Sequence, residues 1–264
     1  MQRSEIERLL SEVEKRLEAE PRLIEIGSVE RAVFVGDTHG DLEATNRVCE
    51  KYLDARTALV FLGDYVDRGP DSAENLHTLL RLKLERPENL FLLMGNHEGY
   101  AVMPFHPADF WQRLDHEMFD RYAKVLSKLP FAASTSNGII ALHGVLPDVE
   151  DLPFINGIEI GGEGWRQITW GDWVDGAGGY LGDGFPSGRP QFGRGWFEML
   201  MSRFGKQVLI RSHQPDADPL LYGGRCLTIF TSLSYRSARS GRAVAIVDLS
   251  RPVRTAEDLV IEEV

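Results

Sequence analysis

Apolar positions first recur along this chain at helical spacing. Ile6, Leu9, Leu10, Val13 and Leu17 share one face, so the pattern predicts an amphipathic helix ending before Pro21 and packing on the domain surface. From Arg31 the rhythm changes to short apolar runs followed by helical stretches. Ala32–Val35 runs into GDTHGD, and a helix is predicted over about 42–53. Ala58–Leu62 runs into GDYVDRGP, with a helix over about 72–86. Leu90–Met94 runs into GNHEG, and helical sequence resumes near 108 and reaches 129. Continuously apolar strands alternating with helices predict βαβαβ units and a parallel sheet covered on both faces.

The second half reads differently. Phe131–Ser136, Asn137-Gly138 and Ile139–Leu142 predict a hairpin with a type I′ turn. A Gly-rich irregular region follows, then a helix over about 196–204 and strands at 207–210, 226–231 and 243–247. These strands are expected to be mostly antiparallel and to form a second sheet on the first, in an α/β (α+β) fold. With no internal repeat and no linker, residues 26–264 read as one domain preceded by the helical segment 1–25.

Composition narrows the function. A formal charge of −11 argues against a general nucleic-acid binder, which needs a basic face. The two cysteines, Cys49 and Cys226, make no disulfide framework. The charged N-terminus holds no apolar signal core, and no run approaches the roughly 18 apolar residues of a spanning helix. A cytoplasmic chain without membrane association is expected.

The candidate chemistry stands at strand ends, where loops of parallel sheets converge. These ends carry Asp37 and His39, then Asp64, Asp67 and Arg68, then Asn96 and His97; later apolar runs end in His143 and His213. Each has an ordinary reading alone: Asp37 as a helix cap, Asn96 as a turn residue, His143 as a satisfied core histidine. Their joint occurrence at five successive strand ends reads as a site. The other histidines, His77, His106 and His116, read as surface or packing residues. Carboxylate, imidazole and amide oxygen suit manganese, iron or zinc. That many ligands over-supply one ion; two ions about 3.5–4 Å apart, sharing a carboxylate, would use them all.

The ordered set GDTHG, GDYVDRG, GNHE, a later HG and a later RSHQ resembles the signature of PPP-type serine/threonine protein phosphatases, within the calcineurin-like metallophosphoesterases. The resemblance spans about 33–247 and implies a two-sheet sandwich with flanking helices around a binuclear centre. By motif position, Asp37 and His39 would hold one metal, Asn96, His143 and His213 the other, and Asp64 would bridge them. Two cations would acidify a bridging water into a hydroxide that attacks phosphorus directly, without a phospho-enzyme. Arg68 would grip the phosphoryl oxygens, His97 would protonate the serine or threonine alkoxide, and Asp67 would orient His97. The family also implies a second phosphate arginine; Arg189 is favoured, with Arg194 the alternative. Tyr235 falls where the family has a tyrosine over the cleft, in a segment that departs from the usual pattern. Trp170-Gly171-Asp172 resembles another landmark, and Arg211 reads as structural.

Phosphoprotein or phosphopeptide substrates follow from this resemblance; no target protein or regulatory subunit is named by it. The alternative enzyme is a symmetrical diadenosine tetraphosphate hydrolase or another small phosphoester hydrolase. Such hydrolases typically lack the aspartate of the VDR triplet and end the third motif in NHD, whereas this chain has Asp67 and Glu98. A catalytically dead phosphoprotein-binding module would lack a ligand or His97, and neither is missing.

Overall fold

The computed structural model describes residues 1–27, 29–235 and 241–264. Helix α1 (Arg3–Glu18) leads into β1 (Leu23–Glu25), β2 (Arg31–Val35), α2 (Leu42–Tyr52), β3 (Thr57–Phe61), α3 (Ser72–Glu85) and β4 (Leu90–Leu92). Helices α4 (Asp109–Gln112) and α5 (His116–Leu126) precede the hairpin β5 (Ala132–Ser134) and β6 (Ile139–Leu142). Then come α6 (Glu163–Trp170), β7 (Asp172–Trp173), β8 (Tyr180–Gly184), β9 (Arg189–Phe192), α7 (Arg194–Arg203) and β10 (Val208–Arg211). The chain closes with β11 (Leu220–Leu221), β12 (Cys226–Thr228), β13 (Ala243–Asp248) and β14 (Val260–Glu263).

The strands form sheets in the orders β14-β13-β2-β3-β4 and β1-β5-β6-β10-β12-β11, with a small third sheet β7-β9-β8. Strands β2, β3 and β4 pair in parallel, as their continuous apolar runs predict. Both faces of these strands are buried, and alternate residues go to different layers. Ala32, Phe34, Ala58 and Val60 join Ala141, Val208 and Ile210 between the two large sheets. Val33, Val35, Leu59 and Phe61 belong to the second cluster, with Val13 and Leu17 of α1 and Leu76 and Leu80 of α3.

The second half is less antiparallel than its sequence suggests. Strand β13 is antiparallel to β2 and β14, β5 to β6, β8 to β9 and β11 to β12, but β6–β10, β10–β12, β7–β9 and β1–β5 are parallel. The segment between β6 and β10, with α6 and α7, is long enough to return the chain in the same direction. The hairpin turn also differs from type I′. Asn137 keeps a negative φ and only Gly138 is left-handed, at φ 116°, because Thr135 N–H reaches across three residues to the Ile139 carbonyl. The helical stretch 108–129 is broken in two, since the Asp115 carboxylate accepts the Met118 N–H and starts α5 afresh.

A buried cation ties α1 to the core. Lys83 is wholly buried; its Nζ donates to the Pro87 and Leu90 carbonyls at 3.0 and 2.7 Å and lies 2.5 Å from Glu20 Oε1. Lys83→Met leaves the Glu20 carboxylate with Arg16 alone, whose Nε is 3.2 Å from Oε1, and is expected to cost about 3 kcal/mol in urea unfolding. Adding Glu20→Gln should recover most of that loss. A single variant as stable as the parent would show that the pair does not hold α1.

Candidate metal centre

The local sequence at each strand end explains how the side chains arrive. Strands β2, β3, β4, β6 and β10 all deliver their last residues to one edge of the two sheets, so Asp37, His39, Asp64, Asn96, His97, His143 and His213 meet there. Each is at most 3% exposed. The turns are tight: five of the six non-glycine residues with left-handed φ among the described residues are His39, Asp64, Asp67, Arg68 and His213. Such conformations are costly for these residue types and persist only where the surroundings dictate them. At Gly95 the reason is space: a Cβ there would stand 2.2 Å from Asp64 Oδ1.

Two clusters share Asp64. One oxygen or nitrogen from each of His39, Asp64 and His97 fits within 4.8 Å, and so does a set from Asp64, His143 and His213. The hydrogen bonds fix which nitrogens face the pocket. His39 Nδ1–H donates to the Val66 carbonyl at 2.8 Å and His143 Nδ1–H to the Leu62 carbonyl at 3.0 Å. A carbonyl only accepts, so His39 presents a bare Nε2, and His143 does so once its second proton leaves, as metal binding requires. These Nε2 atoms lie 3.5 and 3.4 Å from Asp64 Oδ2. His143 Nε2 also stands 3.2 Å from Asn96 Oδ1 and 3.1 Å from His213 Nδ1.

Burial holds the His39 imidazole down to about 3 and His213 well below the ordinary range, so both stay neutral. Burial pushes the Asp37 carboxyl up to about 7. Burial opposes a charge on His143, yet Asp64 and Asp37 outweigh it and raise the imidazole to about 9. Asp37 Oδ1 is buried and has no hydrogen-bond partner among the described residues. A buried oxygen with an unused lone pair, bare imidazole nitrogens and a shared carboxylate are a donor set that fits divalent cations. The positions expected for the first metal, Asp37 and His39, lie with His39 Nε2 3.7 Å from Asp37 Oδ2.

The remaining predicted residues surround this pocket. His97 Nδ1 donates to Asp67 Oδ2 at 2.6 Å, and Asp67 Oδ1 accepts the Phe110 N–H at 2.7 Å. His97 Nε2 therefore points inward, 3.8 Å from Asp64 Oδ2. Arg68 is exposed at the rim and rests one guanidinium nitrogen on the Pro107 carbonyl, 2.9 Å away. Tyr235 Oη lies 3.1 Å from His39 Nε2. Arg189 on β9 lies over Trp170 and 3.7 Å from Asp172 Oδ1, which is itself 3.5 Å from His213 Nε2. Arg194, the alternative, lies instead over Tyr222.

Sequence reasoning missed how Glu98 and Asp172 act. Glu98 is 2% exposed and accepts the N–H groups of Asp64, Tyr65 and Gly95 at 2.8, 2.9 and 3.0 Å, pinning two ligand loops together. Its place in GNHEG was the available signal. His77, read as a surface or packing residue, is buried against the Tyr122 hydroxyl. Trp165 and Trp173 are core, while Trp170 lies beside His213.

Residues 30–217 match the calcineurin-like phosphoesterase family. The chain belongs to that family. Among curated relatives, a serine/threonine-protein phosphatase T of Trypanosoma brucei brucei is 29% identical over 86% of this chain and 51% of its own. One of Aspergillus oryzae with the same name is 30% identical, over 82% of this chain and 48% of its own. This calcineurin-like phosphoesterase thus spans about half the length of these relatives. A protein serine/threonine phosphatase structure from Saccharomyces cerevisiae shares the fold, with a TM-score of 0.81 at 23% identity, covering 100% of this chain and 90% of the other. No helix among the described residues of this family member is long and apolar enough to cross a membrane.

Proposed function

We propose that the chain hydrolyses phosphoserine and phosphothreonine monoesters in proteins, using two divalent cations, with manganese the first candidate and iron or zinc the others. The observation that carries this reading is the Asp67–His97 pair, with His97 at the edge of a pocket where two groups of candidate ligands share Asp64. An alkoxide is a strongly basic leaving group and needs a proton, which a positioned imidazole supplies.

When bound, the cations would supply an acidified water as nucleophile and a template for in-line displacement. Asp37 and His39 would hold one, Asn96, His143 and His213 the other, and Asp64 both. Asp67 fixes the His97 ring so that Nε2 carries the mobile proton toward the departing oxygen. It also stabilises the charged imidazole before transfer. Arg68 swings from the Pro107 carbonyl to grip the phosphoryl oxygens, Arg189 approaches them from the opposite wall, and Tyr235 bounds the cleft over His39. A planar guanidinium suits a dianionic monoester, which offers paired oxygens.

The test is a substrate panel with added manganese. Phosphoserine and phosphothreonine peptides should be turned over faster than diadenosine tetraphosphate; the reverse preference would replace this reading with the nucleotide hydrolase. Arg68→Ala should lower kcat/KM on phosphopeptides by about 10–100-fold, the worth of one or two charge-assisted hydrogen bonds. Unchanged kinetics would remove Arg68 from the phosphate site.

A further inference from the structure

Arg211, read from the sequence as structural, stands directly behind the pocket. It ends β10 and is fully buried. Its Nη1 donates to the Ser212 carbonyl at 3.1 Å and closely to Gln214 Oε1, while the rest of the guanidinium faces the buried Cys226 thiol, and Nε and Nη2 find no oxygen or nitrogen acceptor among the described residues. Packing alone does not account for such a group, because a well-fitted apolar side chain of similar volume often serves stability equally well or better. What the guanidinium holds is Gln214. That side chain spans to the next sheet: Oε1 also accepts the Trp173 N–H at 2.8 Å, and Nε2 donates to the Trp173 carbonyl at 3.2 Å.

Chain order makes this bridge consequential. Gln214 follows His213, and Trp173 follows Asp172. The bridge between the outer pair sets the distance of the inner pair, 3.5 Å from His213 Nε2 to Asp172 Oδ1. Asp172 in turn stands 3.7 Å from Arg189. His213 has φ 72°, a conformation that relaxes unless its neighbours hold it.

We infer that Arg211 and Gln214 are a pair of positioning residues that lock the His213–Asp172–Arg189 wall and thereby set the affinity of one of the two metal subsites, the one His213 serves. The inference rests on reading the pocket as a binuclear centre. Outer groups that orient a ligand commonly govern metal affinity without touching the ion.

The experiment is a cobalt titration of chelator-stripped protein, followed by visible absorption, with near-UV circular dichroism reporting the fold. The parent should bind two ions. Gln214→Ala should weaken one of them by about 10–100-fold and leave the other within about threefold. Arg211→Lys, which keeps the charge but loses the planar fork, should weaken the same ion. Gln214→Glu keeps an oxygen for both Arg211 and Trp173 N–H and should restore most of the affinity. Equal weakening of both ions, no weakening, or a Gln214→Glu variant as poor as Gln214→Ala would overturn the positioning role. A parent that binds fewer than two ions would overturn it at its base, together with the binuclear reading; that failure appears in the unaltered chain and so is distinct.

Discussion

Asp64→Asn is expected to reduce bound metal from two ions per chain to one or none, and to lower phosphopeptide turnover by at least about 10³-fold. The expectation follows from position. Asp64 Oδ2 is within 3.4–3.5 Å of both His39 and His143, so both clusters lose a shared anionic ligand. An amide is nearly isosteric, and Oδ1 can still accept the His97 N–H now held at 2.9 Å, so the fold should survive. Metal analysis after gel filtration, paired with steady-state kinetics, gives the answer. An Asp64→Asn protein holding two ions with full activity would remove the binuclear account.

The second large effect concerns His97. Its removal to Ala should cut turnover of phosphoserine peptides by about 10²–10⁴-fold, but that of nitrophenyl phosphate much less, because nitrophenolate leaves without a proton. The geometry also admits another role, since a His97 nitrogen sits within ligand range of His39 and Asp64. The two roles separate cleanly. An acid lost at this position leaves metal content unchanged and makes the defect depend on the leaving group. A ligand lost there lowers metal content and slows both substrates alike.

The strand ends were legible because their chemistry is local. An apolar run closed by Gly-Asp or Gly-Asn-His is visible as text, and parallel-sheet geometry brings such ends together. The two-faced burial of β2 and β3 was legible for the same reason, in their unbroken Val, Leu, Ala and Phe. Long-range pairing was not. Strand β1, assigned with the N-terminal helix segment, pairs with β5 more than 100 residues away, and three residues carry no periodicity. Helix α6 and the small sheet β7-β9-β8 lie in Gly-rich sequence whose order comes from tertiary hydrogen bonds. The role of Arg211 depends on a glutamine three residues on meeting a tryptophan backbone 41 residues earlier, which no linear pattern encodes. Left-handed φ at His39, Asp64 and His213 was equally invisible, since aspartate and histidine do not require it.

The pocket draws on both large sheets: Asp37, His39, Asp64 and Asn96 follow strands of one, His143 and His213 follow strands of the other. Cations seated there would rivet the sandwich across its seam. Sliding one slab over the other would break coordination before it opened the core, so melting temperature should climb with free manganese concentration, and enzyme and scaffold should fail together.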